Sequence, residues 1–356
     1  MPPRPPAAIA GLLAAACAAL TGCAGGASGA ASTQASQLTL RLGYQPNLTH
    51  APAIAGIDRG LFRTALGGGI RLVTEIFSAG PAEMEALLGG ALDAAFVGPN
   101  PAINGFVRSG GAALRIIAGA TSGGAALVVQ PGEGIHSAAD LRGRRIATPQ
   151  LGNTQDVALR SWLRDHGITT DPQGGGEVHI VAVDNATTLQ LFELRQIDAA
   201  WVPEPWASRL VDEGHGTLLV DEASLWPGGR FPTTELVVAT SFLHQHPDAV
   251  RRLVEGDVSA VDWLDANPAS ARAAVNDGLR RLTQKALGTA VITDAWSRLR
   301  FDPDPLTGLL QEEADHAHAV GLLGAVDLHG LVDPSALNAV LAGRGRPTIS
   351  GTGTAG

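Results

Sequence analysis

The residues with the clearest potential for chemistry are hydroxyls and amides that follow short apolar runs. Within residues 144–167, a strand pattern ends at Thr148 and an amphipathic helix pattern begins at Thr154. The loop between them carries Gln150 and Asn153, and the first N–H groups of the helix have no partner within it. Such a junction can bind the oxygen atoms of a small ligand, although an ordinary capped helix start has the same pattern.

Similar polar residues occur in six further segments, each after a predicted strand. Loops that follow the carboxyl ends of parallel strands gather at one edge of a sheet, where ligands bind. We therefore expect one cleft lined by the seven loops 44–52, 78–81, 98–104, 120–124, 149–156, 184–188 and 203–206. The predicted ligand-binding residues are Tyr44, Gln45, Ser78, Gly80, Gly98, Asn100, Thr121, Ser122, Gln150, Asn153, Thr154, Asn185, Glu204 and Trp206.

The charge of these loops restricts the ligand. None of the seven contains Lys or Arg. Helix N-termini and neutral donors can hold a monoanion such as a sulfonate. A dianion, or a tightly held nitrate or bicarbonate, would be expected to have a fixed cation, because burying an unpartnered charge is costly. The loops therefore favour a monoanion.

Two of the candidates have open roles. Tyr44, the only tyrosine, could cover an organic tail or be a turn residue at the surface. Glu204, between two prolines, could accept hydrogen bonds from a ligand amine or ring N–H, or from the backbone of its own loop. Because a bare carboxylate would repel a sulfonate, the structural role is favoured for Glu204.

The remaining polar motifs indicate neither metal nor cofactor binding. The pairs His244/His246 and His316/His318 have a spacing that points two side chains apart on a helix. The glycine runs 67–69 and 174–176 lack the Lys-Ser/Thr of a phosphate-binding loop. The sequence shows no metal-ligand spacing and no nucleophile elbow, so we expect no metal, no cofactor and no enzymatic activity.

The elements that must position the loops alternate between short strands and helices. This alternation predicts parallel sheets with crossover helices. A repeat supports a duplicated unit, since LDAAFVGPNP (92–101) aligns with IDAAWVPEPW (197–206). We therefore predict an α/β protein of two lobes with a ligand cleft between them. Strands flanking 120–124 and a return strand at 236–240 would be the two crossovers.

The N-terminus predicts export and lipid attachment. Residues 1–22 carry one charge and an apolar run of signal-peptide length, and Leu-Thr-Gly-Cys then resembles a bacterial lipobox. Cys23 would be lipidated, although a secretory signal followed by a chance cysteine is the alternative. Residues 23–37 would be a flexible tether with a reach of roughly 20 Å. The predicted lobes are 38–120 with 236–356, and 121–235.

Bulk properties exclude other partners. The formal net charge is −9 and no basic patch offsets it, so nucleic acid is not expected to bind. After the leader, no apolar run is long enough to span a bilayer, and the membrane contact would be the lipid anchor alone. The other cysteine, Cys17, would leave with the leader.

Several segments resemble the solute-binding proteins of the nitrate/sulfonate/taurine class of bacterial ABC importers. They are GYQPNLTHAPAIAG (43–56), GLF (60–62), SAGPAEMEALLGGALDAAFVGPNPAI (78–103), LRGRRIATPQLGNTQDVALR (141–160) and DNATTLQLFELRQIDAAWVPEPWASRL (184–210). The resemblance implies a two-lobe periplasmic-binding-protein fold of the type II kind. It also implies a monomer at the outer face of the cell membrane, with an ABC permease and its ATPase as partners.

The resemblance leaves the ligand open. Aliphatic sulfonate binders are the most similar subclass, with taurine, nitrate or a pyrimidine-type ligand as alternatives. Pyrimidine synthases share the fold but need His and Cys at the site, and only His50 lies in a predicted cleft loop. A sensor module for a membrane kinase would need further signalling domains.

Overall fold

The structure is a computed structural model that describes residues 37–350. The predicted signal peptide, the lipidation site Cys23 and nearly all of the tether lie outside these residues. Within 37–350, no helix combines the length and apolar character needed to cross a membrane.

Eleven strands of the described chain form two sheets. The first has the strand order β11-β4-β10-β3-β1-β2 and the second the order β7-β6-β8-β5-β9. The strands are β1 Leu38–Tyr44, β2 Ile70–Ile76, β3 Ala94–Val97, β4 Leu114–Gly123, β5 Ala125–Val129, β6 Arg145–Thr148, β7 His179–Ala182, β8 Ala199–Pro203, β9 Thr217–Asp221, β10 Pro232–Ala239 and β11 Leu299–Phe301.

Thirteen α-helices of the described chain connect or cover these strands. They are α1 Ala51–Asp58, α2 Leu61–Leu66, α3 Gly80–Leu88, α4 Pro99–Arg108, α5 Thr154–Asp165, α6 Asn185–Glu193, α7 Trp206–Asp212, α8 Thr240–Gln245, α9 Pro247–Ala266, α10 Pro268–Thr283, α11 Thr289–Ser297, α12 Thr307–Ala319 and α13 Ser335–Gly343.

The two sheets repeat one arrangement. In the first, β1 pairs in parallel with β2 and β3, and β3 pairs antiparallel with β10. In the second, β6 pairs in parallel with β7 and β8, and β8 pairs antiparallel with β5. The aligned segments of the sequence repeat form β3 and β8, so the duplication predicted from the sequence is confirmed.

The chain crosses between the sheets twice. Strand β4 continues to Gly123, further than predicted, and Gly124 alone leads to β5. Gly124 has a φ of +77°, and a Cβ there would lie 2.2 Å from Leu299 Cδ2, so this crossing requires glycine. The return strand β10 begins at Pro232 rather than Leu236. The exact lobe boundaries stay a prediction.

The predicted loop 98–104 is wrong in part, because α4 begins at Pro99. Pro99 and Pro101 lie in the first turn of the helix, where a missing N–H costs no hydrogen bond. The Pro-Asn-Pro sequence therefore starts a helix rather than extending a loop. The segment after β1 forms two helices, α1 and α2, separated at Gly60, whose φ is +71°.

Buried apolar residues of the strands and helices hold in place the sheet edges that carry the cleft loops. All residues of β3 and β8 are buried, which explains their nearly continuous apolar sequences. Helix α9 closes the first sheet against α1 and α2, where Gly256 approaches the Phe62 ring so closely that a Cβ would lie 2.5 Å from it. The strand ends therefore present their loops from rigid layers.

Candidate functional site

A small cavity lies where loops of the two sheets meet. It has a volume of about 20 Å³, which is enough for about one water molecule. Its lining, called the inner cavity below, consists of Gln45, Asn47, Thr49, His50, Gly80, Gly98, Pro101, Asn153, Thr154, Gln155, Pro203 and Thr233. Both sheets therefore contribute to it.

Three helix N-termini contribute to the inner cavity. Gly80 is the first residue of α3, Gly98 is the N-cap of α4, and Thr154 is the first residue of α5. The first N–H groups of a helix have no intrahelical partner, and the helix dipole adds positive potential there. The arrangement is chemically suited to a small anion.

The start of α5 is fixed by buried polar contacts. The Asn153 side chain accepts a hydrogen bond from Asp156 N at 2.9 Å, and Asp156 accepts one from Gly152 N at 2.8 Å. Arg160 Nε lies 3.0 Å from the same carboxylate, and neither charged side chain is exposed. Burial raises the pKa of Asp156, and the Arg160 charge opposes that rise. These contacts hold the loop in position.

The donors around the inner cavity are neutral. Complete burial lowers the pKa of His50 to about 3. Its Nδ1 accepts from Gln45 N at 3.3 Å, so the proton of the neutral ring is on Nε2, which can donate. No Lys or Arg is among the lining residues described. The predicted cleft loops contain no Lys or Arg, and the described lining of this cavity contains none either.

A buried carboxyl group lies directly behind this lining. Gln45 Nε2 donates to Glu83 Oε2 at 3.0 Å. Burial raises the pKa of Glu83 to about 8, so this side chain is mostly protonated at neutral pH. A neutral Glu83 places no full negative charge next to an anion in the cavity.

The two sheets touch at the cavity edge. A Cβ placed on Gly98 would lie 2.4 Å from Thr154 Oγ1. Glycine at position 98 therefore permits a contact between the starts of α4 and α5 that a larger residue would prevent.

A larger groove adjoins the inner cavity. This outer groove has a volume of about 500 Å³. Its lining consists of Pro46, Asn47, Ser78, Asp184, Asn185, Ala186, Leu189, Gln190, Glu193, Trp206, Arg209, Thr283 and Lys285. Asn47 lines both spaces, and Trp206 Nε1 donates to Asn47 Oδ1 at 2.8 Å.

The outer groove contains cations that the loop analysis missed. Arg209 Nε and Lys285 Nζ each lie 2.8 Å from the Glu213 carboxylate. The two cations hold the pKa of Glu213 down at about 2, with burial opposing them. Arg209 lies inside α7 and Lys285 follows α10, so a search restricted to loops after strands could not find them.

The structure divides the predicted ligand-binding residues into three groups. Those that line the inner cavity are Gln45, Gly80, Gly98, Asn153 and Thr154. Those that line the outer groove are Ser78, Asn185 and Trp206. Those that line neither are Tyr44, Asn100, Thr121, Ser122, Gln150 and Glu204.

Glu204 is buried beneath the loops. It accepts hydrogen bonds from Ser208 N and Oγ at 3.0 Å, and Arg298 Nη1 lies 2.8 Å away. Burial raises its pKa, and these partners oppose that rise. The favoured structural role agrees with this geometry, which leaves the carboxylate no exposed surface for a ligand.

Tyr44 and Asn100 also face away from the site. Tyr44 belongs to the apolar core of the first sheet, and burial raises its pKa to about 12. Asn100 donates to Glu313 O at 3.1 Å and lines a separate cavity of about 160 Å³ among α4, α5 and α12. The cause is the helix at 99–108: Pro101, one residue later, faces the inner cavity instead.

The hydroxyls of Thr121 and Ser122 were expected in a loop but are buried in β4. Gln150 is half-buried and lines neither space. The polar residues of the inner cavity that were not predicted are Asn47, Thr49, His50, Gln155 and Thr233. All except Thr233 lie in predicted cleft loops, so the loop signal was available and the choice of residues within those loops was incomplete. Among residues 37–350, no group of His, Cys, Asp or Glu could hold a metal ion.

Comparison with known proteins gives consistent matches. Residues 33–276 match the model of the NMT1-like family. A protein of Brucella abortus (strain 2308) that carries the name of a binding protein is 29% identical over 237 residues, 66% of this chain and 69% of that protein. A protein of Bacillus subtilis (strain 168) named for binding aliphatic sulfonates is 27% identical over 230 residues, 63% of this chain and 64% of that protein.

Solved structures establish the fold. The alkanesulfonate-binding protein of Xanthomonas axonopodis pv. citri, bound to MOPS, has a TM-score of 0.70 at 22% identity, covering 83% of this chain and 98% of its own. The nitrate-binding protein of Synechocystis PCC 6803 has a TM-score of 0.74 at 16% identity, covering 86% and 89%. The predicted periplasmic-binding-protein fold is confirmed.

Proposed function

Since the chain belongs to the NMT1-like family, we propose that it is the extracytoplasmic binding protein of an ABC importer for a small organic anion, best an aliphatic sulfonate. An ABC permease and its ATPase would receive the ligand from a monomeric, lipid-anchored protein. The named relatives are binding proteins and not enzymes, and one structural neighbour is the ligand-binding component of an ABC-type import system of Staphylococcus aureus.

The observation that carries the anion class is the convergence of helix N-termini on a lining without cations. The first turns of α3 and α5 supply N–H groups without intrahelical partners, and His50 supplies a neutral ring donor. The first turn of α4 supplies the N–H of Asn100 alone, because Pro99 and Pro101 have none. Donors of this kind bind a singly charged oxyanion through hydrogen bonds, with no counter-charge to desolvate. The buried position of Glu204 speaks against a pyrimidine or amine ligand recognised by that carboxylate.

A nitrate-sized oxyanion is the second candidate. The inner cavity of about 20 Å³ must enlarge for either anion, and by less for nitrate, because even a short sulfonate is larger. Relatives named for binding nitrate or nitrite in Nostoc sp. and bicarbonate in Synechococcus elongatus match shorter parts of the chain, 37% and 31%. Titration with nitrate and with methanesulfonate separates the two candidates.

The test uses a protein shortened to begin at Gln37 and isothermal titration with methanesulfonate. At a hundredfold excess over Kd, one binding site should raise the free energy of unfolding by about 2.7 kcal/mol. Thr154→Val removes a hydroxyl from the cavity lining and should weaken binding by about 1–3 kcal/mol, or roughly fivefold to 150-fold in Kd.

Thr289→Val is the matched control. Thr289 is also the first residue of a helix, α11, but it is exposed and outside both site spaces. Binding should be unchanged in this variant. Heat from nitrate alone, or full affinity in Thr154→Val, would refute the sulfonate proposal.

Lipid attachment has a separate test. Cys23→Ala should abolish incorporation of a lipid label and release the protein from membranes, whereas Cys17→Ala should leave both unchanged. Detergent partitioning of Cys23→Ala equal to that of the unaltered protein would contradict the anchor.

A further inference from the structure

The edge of the first sheet that lies opposite the cleft loops is rich in arginine. Strands β1 to β4 run in one direction and β10 in the other, so the starts of β1 to β4 share this edge with the end of β10. The arginines of this edge, called the basic edge below, are Arg41, Arg63, Arg71, Arg108, Arg115 and Arg252. The sequence shows no basic run here, because the fold collects these residues from distant segments.

The basic edge carries positive charge on an acidic protein. Within the described chain, Arg41 pairs with Asp93 at 2.6 Å, whereas the other five arginines of the edge form no ion pair. Asp248, near the start of α9, and Asp327 are acidic residues of this region that likewise form none among the described residues. Unpaired arginines therefore outnumber unpaired acids at this edge, although the chain as a whole has a net charge of −9.

Neutral groups hold two of the unpaired arginines in position. Arg71 Nη2 donates to Thr39 Oγ1 at 3.1 Å, and Arg252 Nη1 donates to Leu66 O at 3.2 Å, at the end of α2. A guanidinium has five N–H donors, so each of these side chains is oriented and still has donors for a further acceptor. Arginine forms charge-assisted, often bidentate hydrogen bonds with phosphate, which makes phosphate a suitable acceptor.

The chain enters the fold at this same edge. Leu38 begins β1, and Gln37 Nε2 donates to Gly68 O at 2.8 Å in the turn before β2. Residues 23–37 are the predicted tether between the body and a lipidated Cys23, with a reach of roughly 20 Å. An anchor at the far end of this segment keeps the basic edge, rather than the cleft edge, next to the membrane.

We propose that the basic edge is a docking surface for the anionic phospholipids of the membrane, with its guanidinium groups donating to lipid phosphates. Charge complementarity and the position of chain entry both support this partner. Docking through this edge leaves the cleft, at the opposite edge, open to solute. The inference rests on the proposed membrane anchoring, which brings the edge to the bilayer.

Flotation with vesicles tests the docking on the protein shortened to begin at Gln37, which lacks Cys23. Both sheets and their apolar cores lie within residues 37–350, so this protein keeps the fold. Vesicles of phosphatidylcholine alone are compared with vesicles of equal parts phosphatidylcholine and phosphatidylglycerol. We expect binding to the mixed vesicles only. Raising the salt from about 0.1 M to about 1 M should abolish it, because the Debye length falls from about 10 Å to about 3 Å.

A triple variant removes most of the exposed charge of the edge. Arg63, Arg71 and Arg108 are exposed, so their replacement should leave the fold intact. One arginine near an anionic membrane surface accounts for roughly fivefold in the partition coefficient. Combining Arg63→Gln, Arg71→Gln and Arg108→Gln should therefore weaken binding to the mixed vesicles roughly a hundredfold. The affinity for methanesulfonate should be unchanged, because the cleft lies at the opposite edge.

The matched control combines Arg145→Gln, Arg164→Gln and Arg300→Gln. These three arginines are also exposed and lie outside the basic edge, so the control changes the net charge by the same amount. Charges more than a Debye length from the lipid surface are screened, and vesicle binding should stay within about twofold of the unaltered protein.

The outcomes separate this docking from the anchor. Equal binding to both kinds of vesicle, full binding by the edge variant, or an equal loss in the control would overturn the docking surface. Binding of a duplex DNA oligonucleotide as tight as binding to the mixed vesicles would assign the edge to a phosphate polymer instead. A lipid label retained in Cys23→Ala would refute the proposed anchor, whereas the vesicle results are obtained without Cys23.

Discussion

Gly98→Ala should weaken ligand binding by preventing full contact between the two sheets. The added Cβ would lie 2.4 Å from Thr154 Oγ1, with Thr154 Cβ at 3.5 Å and Thr233 O at 3.6 Å. The first distance is about 1 Å shorter than an ordinary non-bonded contact. The backbone itself would not be strained, because Gly98 has a φ of −67°. The clash therefore arises only where the sheets meet.

The expected size follows from this overlap. Inserting one methyl into a close-packed contact costs about 1–3 kcal/mol. If ligand binding requires the contact, that cost weakens binding roughly fivefold to 150-fold in Kd. The free energy of unfolding of the unliganded protein should change little, because a slight separation of the sheets relieves the overlap.

The assay is calorimetric titration with methanesulfonate, accompanied by urea unfolding without ligand. Gly68→Ala is the control, since a Cβ there meets nothing within 4 Å. Full affinity in Gly98→Ala would refute the role of this contact. A loss of unfolding free energy as large as the loss of binding would attribute the effect to the fold instead.

Three further predictions concern motion, pH and the site loop. Small-angle scattering should give a smaller radius of gyration with saturating ligand, and identical curves would exclude closure about the crossings near 120–124 and 232–236. Burial raises the folded pKa of Glu83 to about 8, so the contribution of Glu83 to the free energy of unfolding should fall as pH rises from 4.5 through 8. In urea unfolding measured across this pH range, Glu83→Gln should flatten the fall. Replacing the exposed Glu85 with Gln should not. Asp156→Asn should lower the free energy of unfolding by about 3–5 kcal/mol, because it leaves the buried Arg160 charge without its partner. A loss of unfolding free energy as small as that of the exposed control Asp165→Asn would contradict this account.

The sequence predicted local chemistry better than side-chain direction. The helix start at Thr154 was correctly located, because a polar N-cap followed by an amphipathic pattern is a short-range signal. Asn100 was placed in the site, yet it points to α12, and only the neighbouring Pro101 reaches the cavity. Successive side chains of a helix point about 100° apart. Because the start of α4 was not predicted, Asn100 was expected at the cavity, where Pro101 lies instead.

Long-range contacts were beyond a sequence argument. Arg298 is far from Glu204 in the chain, and their 2.8 Å ion pair exists only because β11 joins the first sheet next to β4. Lys285 reaches Glu213 for a similar reason. Such pairs depend on how C-terminal helices return to the cleft, which no local pattern encodes. The repeat, in contrast, predicted a duplicated unit, because each copy carries its own strand.

The crossing strands have a consequence for a chain that emerges N-terminus first. All five strands of the second sheet lie between Ala125 and Asp221, so that sheet can be completed as soon as this stretch is available. In the first sheet, β10 lies between β3 and β4, and it ends only at Ala239. Until then β3 and β4 each expose a row of unpaired backbone groups, which can template pairing with another chain. The half that is synthesised first is therefore the last to be sealed, and these open edges are where aggregation would begin.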